Sequence, residues 1–133
     1  MKKRLEVMNH AIEGLVRRLD LPHVRYLKVS EGCDHGCAFC AIPLMRGRHR
    51  SFGVADVVRE AQLLELQGAR ELNLVAQDLA HYGRDRRDAI GLPELLDALV
   101  AETSIPWIRL LYLYSMLFFV ANLKYCNHVV SLL

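Results

Sequence analysis

The sequence predicts an α/β fold in which strands and helices alternate along most of the chain. Two observations carry that prediction. Short β-rich or apolar segments recur at 24–30, 72–76 and 107–114. Between them lie segments with apolar residues at helical spacing. Strands joined by helices of this length run parallel, with right-handed crossovers.

The elements follow in order. Leu5, Met8, Ile12, Leu15, Val16 and Leu19 mark an amphipathic helix over about 3–18, whose role is packing. Residues 24–30 alternate and are β-rich. A Gly- and Cys-rich loop runs from Glu31 to about Gly53. The next helix carries Val54, Val57, Val58, Ala61 and Leu64 on one stripe, with Asp56 in its first turn and Gly68 past its end. Residues 72–76 are apolar enough for a buried strand. A polar loop spans 77–90. Leu92, Leu95, Leu96, Leu99 and Val100 mark another helix, with Pro93 in its first turn. No fixed-period repeat and no low-complexity tract is evident.

This order has a geometric consequence. Loops that follow parallel strands all lie at the strands' carboxyl edge, where α/β proteins carry their chemistry. The Cys loop, Gln77 with Asp78, and Tyr114 with Ser115 are therefore expected on one edge.

Composition narrows the classes. The chain has 133 residues, 53% of them hydrophobic and 24% charged, which suits one globular domain and argues against disorder. A formal net charge of +2 gives no argument for direct nucleic-acid binding. The basic N-terminus is followed by interspersed charges rather than a secretory core, and the uncharged run at 110–123 is short for a membrane span. A cytoplasmic protein without membrane contact is the expectation.

Cys33, Cys37 and Cys40 fall within a single stretch of eight residues, while Cys126 stands far off. Close spacing without a secretory signal reads as metal or redox chemistry rather than a disulfide framework. Three thiolates at C-x3-C-x2-C can ligate three irons of one cubane cluster, leaving the fourth iron open to a small molecule. Gly32 and Gly36 let the loop curl, and Phe39 is placed to shield the cluster. The alternative is a zinc site with His35, His49 or Cys126 as fourth ligand.

This spacing, with an aromatic before the last Cys, resembles the signature of the radical S-adenosylmethionine (SAM) superfamily. The flanks narrow the resemblance. Residues 26–33 (YLKVSEGC) and 40–47 (CAIPLMRG) are similar to the cluster approach of methylthiotransferases. Residues 74–78 (LVAQD), Tyr82-Gly83, residues 92–96 (LPELL) and 107–114 (WIRLLYLY) resemble the RimO branch. In the sister MiaB branch, which modifies tRNA, Asn commonly follows the Gln.

The resemblance covers about 24–115 and implies the first βα units of a partial (βα)6 radical SAM barrel. It further implies a [4Fe–4S] cluster on Cys33, Cys37 and Cys40, with SAM as methyl donor and radical source. The implied reaction is methylthio insertion at the β-carbon of an aspartate in a small-subunit ribosomal protein. Phe39, Gln77 and Asp78 are the candidate SAM contacts, Gln77 and Asp78 otherwise capping the following loop. No residue is assigned a catalytic role. MiaB-type tRNA methylthiolation, a zinc-binding module and an inactive gene fragment are the competing readings.

Departures from the family define the expected organisation: an N-terminal helix or linker at 1–23, a partial core at 24–115, and an atypical apolar tail at 116–133. The second cysteine triplet of the family's N-terminal domain is missing, as are the later barrel units and the substrate-binding β-barrel. The tail reads as a frameshift or as a final helix. Phe52-Gly53 stands where Arg-Pro is usual, which puts the start of the next helix in question. Three strands are expected to leave one edge unpaired and one apolar face uncovered. Arg46, Arg48, His49 and Arg50 form a basic cluster facing either SAM's carboxylate or solvent. Tyr82 is expected to pack, and 84–88 to be solvated charges. Tyr112 and Tyr114 are expected to alternate with Leu113 on a strand. Cys126 and His128 are expected to be incidental to the tail.

Overall fold

A computed structural model of the chain describes residues 21–88, 90–113 and the backbone of 129–132. The helix expected over 3–18, along with Tyr114, Ser115, Cys126 and His128, lies outside the described residues.

Strands β1 (Val24–Lys28), β4 (Glu71–Val75) and β5 (Trp107–Leu111) run parallel, with β4 between the other two. Each strand is one apolar or alternating run bounded by polar or Pro-containing turns. Helix α2 (Val54–Leu66) links β1 to β4, and helix α3 (Leu92–Glu102) links β4 to β5. A fourth parallel strand, β6 (Val129–Leu132), pairs with β5. The sheet thus has four strands rather than three, and the stretch at 129–132 is a strand rather than a final helix.

The core explains the arrangement. Leu27, Leu72, Leu74, Ile108 and Leu110 share one sheet face and are buried, as are Val57, Val58, Ala61 and Leu64 of α2 and Leu92, Leu95, Leu96 and Leu99 of α3. Burying such a side chain stabilises by ~1.5–3 kcal/mol, so the two amphipathic helices cover this face.

The opposite face is not the bare apolar surface expected. Tyr26, Asn73 and Arg109 lie side by side across it in register. Asn73 is buried, and Arg109 donates to Glu71 from Nε at 2.7 Å and from Nη2 at 3.2 Å. Alternation puts these polar groups there, because their neighbours in sequence point to the core.

The helix ends follow local chemistry. Gly68 sits at φ +90°, with its N–H on Glu65 O and the Ala69 N–H on Leu64 O, a Schellman close to α2. Glu94 accepts from the Gly91 N–H at 2.8 Å at the start of α3. The Phe52-Gly53 departure leaves α2 intact: Gly53 is its extended N-cap, and Phe52 packs against the core.

Candidate functional site

The strand expected over 24–30 breaks at Val29. Val29 is fully buried, its N–H bonded to Val75 O and its carbonyl accepting from the Phe52 N–H. The chain then forms β2 (Ser30–Glu31), antiparallel to β3 (Arg50–Ser51). These two short strands close the Cys loop at its base, a neck that alternation alone did not reveal. Gly32 tightens it further. At φ +79°, a Cβ there would lie 2.2 Å from the Arg48 carbonyl oxygen, so a side chain cannot be accommodated. The Cys33 N–H reaches Gly47 O at 3.2 Å. Within the loop, a one-turn helix α1 (Ile42–Arg46) forms, with no buried residue.

Cys33 and Cys40 are partly buried, Cys37 is exposed, and all three are free thiols. The Cys40 N–H closes a turn on Cys37 O, and the His35 N–H points at Cys33 Sγ at 3.4 Å. Phe39 is 96% exposed, so it shields nothing within the described residues; Leu44 is similarly open.

The loop is anchored to the segment after β4 through two polar groups. His35 Nε2 donates to Asp78 Oδ2 at 2.9 Å, and His81 Nδ1 donates to the same oxygen at 2.7 Å. Asp78 Oδ1 accepts from the Ala80 N–H, capping a 3-10 turn (Leu79–His81). Burial pushes the Asp78 carboxyl up, but the hydrogen bonds from His35, His81 and Ala80 outweigh it and hold it below the usual range. In the second group, Ser51 Oγ donates to Asp85 Oδ1 at 2.6 Å, and the Ser51 N–H donates to Asp85 Oδ2 at 2.9 Å. Ser51 Oγ also accepts from the Gly83 N–H and meets His49 Nε2. The His49 N–H donates to Asp34 Oδ1.

Several sequence expectations change accordingly. Asp85 is exposed, as expected of a loop charge, but its carboxylate also accepts from the β3 residue Ser51. His49 is buried, leaving Arg46, Arg48 and Arg50 exposed in that basic run. Both histidines offered as a fourth zinc ligand have other partners, His35 at Asp78 and His49 at Ser51. Tyr82 packs as expected, 2% exposed, with its hydroxyl on Phe52 O at 2.7 Å. β5 ends before Tyr112, which turns out at φ 64° and is exposed, while Leu113 is buried. The strand expected over 107–114 thus stops at Leu111, while Tyr112 and Leu113 still differ in exposure.

The Cys loop follows β1–β2, and Gln77 and Asp78 follow β4, so these groups share the carboxyl edge of the parallel sheet. Side-chain oxygens of Ser30, Asn73 and Gln77 are buried without a hydrogen-bond partner. An unpartnered buried oxygen costs about 1–3 kcal/mol, so such groups mark a place where a polar ligand would be accommodated.

Comparison with known proteins gives the class first. No protein-family model matches the chain, but curated methylthiotransferases match it closely. Ribosomal protein uS12 methylthiotransferase RimO of Desulfotalea psychrophila is 50% identical over 99 residues, 74% of this chain and 22% of the relative. The same-named protein of Flavobacterium johnsoniae is 55% identical over 89 residues, 67% of this chain and 20% of the relative. That of Sulfurihydrogenibium is 52% identical over 103 residues, 77% of this chain and 24% of the relative. In sequence the matched stretch is of the RimO type, and the chain spans about a fifth to a quarter of the length of these relatives.

Proposed function

We propose that this chain is the cluster-loop portion of a RimO-type radical SAM methylthiotransferase, acting on a small-subunit ribosomal protein at the β-carbon of an aspartate. The observation that carries the reading is the half-identity to RimO proteins over a stretch that places three free thiols on the carboxyl edge of a parallel sheet. Residues 24–115 are read as the start of a radical SAM barrel, with 1–23 as a preceding helix or linker and 116–133 as an atypical tail. The polar face with Tyr26, Asn73 and Arg109 supports the barrel reading, because a barrel's inner face meets ligand rather than helices.

Cys33, Cys37 and Cys40 would hold a [4Fe–4S] cluster, whose donor set of soft thiolates they match. When bound, such a cluster supplies the electron that cleaves SAM and so opens an unreactive C–H bond to substitution. The rest falls to the chain. The β2–β3 neck and Gly32 fix the base of the loop. The His35 N–H at Cys33 Sγ lends one sulfur a hydrogen bond, a contact that tunes cluster potential. Gln77, through its unpartnered buried oxygen, is the stronger of the two polar SAM contacts; Asp78 can contact SAM only by giving up one imidazole. Phe39, open to solvent, would be covered once a cofactor occupies the loop. A cytoplasmic location follows from the reading; no helix among the described residues is long and apolar enough to cross a membrane.

The test is SAM binding by the anaerobically reconstituted chain. The reading expects SAM-dependent release of 5′-deoxyadenosine on reduction, abolished by Cys40→Ala and weakened by Gln77→Ala. A fully loaded chain that releases none, or releases it equally without Cys40, overturns it.

A further inference from the structure

We propose that His35 Nε2, Asp78 Oδ2 and His81 Nδ1 form a mononuclear site for a divalent transition metal of the zinc or ferrous class, separate from the three thiols. These three atoms all lie within 4.8 Å of one another, although His35 and Asp78 are 43 positions apart in sequence. Two imidazoles and one carboxylate are a common set for zinc and for non-haem iron, and they leave positions open for water or substrate. The site does not depend on the cluster reading, because none of its ligands is a cysteine.

The surroundings suit a metal. The Ala80 N–H holds Asp78 Oδ1 and so aims Oδ2 at both rings, as outer contacts orient metal-bound carboxylates. Asp78 is buried, while His35 and His81 are half-buried, so an ion can enter. The rings of His35 and His81 pack edge to face with centroids 4.3 Å apart, which limits their rotation.

Proton placement is consistent. Without metal, the His81 Nδ1–H donates to Asp78 while Nε2 accepts from Arg84 Nη1 at 3.3 Å. On binding, Nδ1 takes the metal and its proton passes to Nε2. His35 shifts in the same sense, from Nε2–H to Nδ1–H. Neither ring changes its net protonation. Arg84 is exposed and can swing away from the new Nε2–H.

The test uses Co(II) with the full chain carrying Cys33→Ser, Cys37→Ser and Cys40→Ser. The expected result is one equivalent bound with ligand-field absorption and no thiolate charge-transfer band. Adding His81→Ala should weaken binding by about tenfold or more, with circular dichroism unchanged. If the triple-serine chain takes no Co(II), or His81→Ala leaves the affinity unaltered, the proposal fails. Should the triple-serine chain not fold, Zn(II) added to the unsubstituted chain decides. Imidazole proton–nitrogen correlation spectra must then show His35 Nε2 and His81 Nδ1 shifting together, and a spectrum in which neither moves overturns the site.

Discussion

The sheet with its two helices and the Cys loop beside it are built on opposite principles. Leu64, Leu72, Leu74, Leu95, Leu96, Leu99 and Ile108 are essentially unexposed, so the sheet and helices are held by apolar burial that needs no ligand. The loop instead leaves Phe39 at 96%, Leu44 at 90% and Met45 at 72% exposure. Its order comes from a two-rung ladder, one glycine and a few side-chain hydrogen bonds. Stability and function therefore sit in separable parts of the chain, and substitutions in the two parts should be read by different assays.

The largest effect belongs to the core. Leu72→Ala leaves a cavity beneath both helices and should cost ~2–5 kcal/mol, measured as a fall in the urea midpoint with unchanged slope. Gly32→Ala comes next, since it forces a Cβ into the Arg48 carbonyl at a left-handed φ. It should cost ~1–3 kcal/mol, and it should also lower iron loading, which Leu72→Ala in its folded fraction should not. An equal loss of loading in both variants would erase the distinction between the regions.

Acid should act at the contact between the neck and the segment after β4. Burial raises the Asp85 carboxyl, but the Ser51 hydroxyl and N–H outweigh it and hold it below 3.8. Its folded value lies below the unfolded one, so its contribution is present above about pH 3.8 and lost as pH falls through the folded value. Asp85→Asn should flatten that part of the stability–pH curve; an unchanged curve would contradict the assignment. At the small end, Leu44→Ser should change stability by ~0.5 kcal/mol or less, checked by the same urea titration.

Much of the fold was legible because period and burial coincide. The α2 and α3 stripes, Gly68 past α2 and Pro93 inside α3 stand where spacing puts them. Three things were hidden. The break at Val29 preserves the β-rich pattern, so the neck looks like a continued strand. Helix α1 buries nothing and so leaves no stripe to read. Asp85 and His81 resemble loop polar residues because their partners, Ser51 and His35, are distant in sequence. The grouping of the three cysteines in one loop could be read from the sequence; the anchoring of that loop through His35 and Asp78 needed three dimensions.

The most direct measurement of the central claim is iron and acid-labile sulfide per chain after anaerobic reconstitution, for the unsubstituted chain and for Cys37→Ala. Cys37 is exposed, so its substitution should leave the fold intact. The account predicts about four irons and four sulfides per chain, lost in Cys37→Ala at unchanged circular dichroism. Zinc without sulfide, or iron retained equally in the variant, would contradict it.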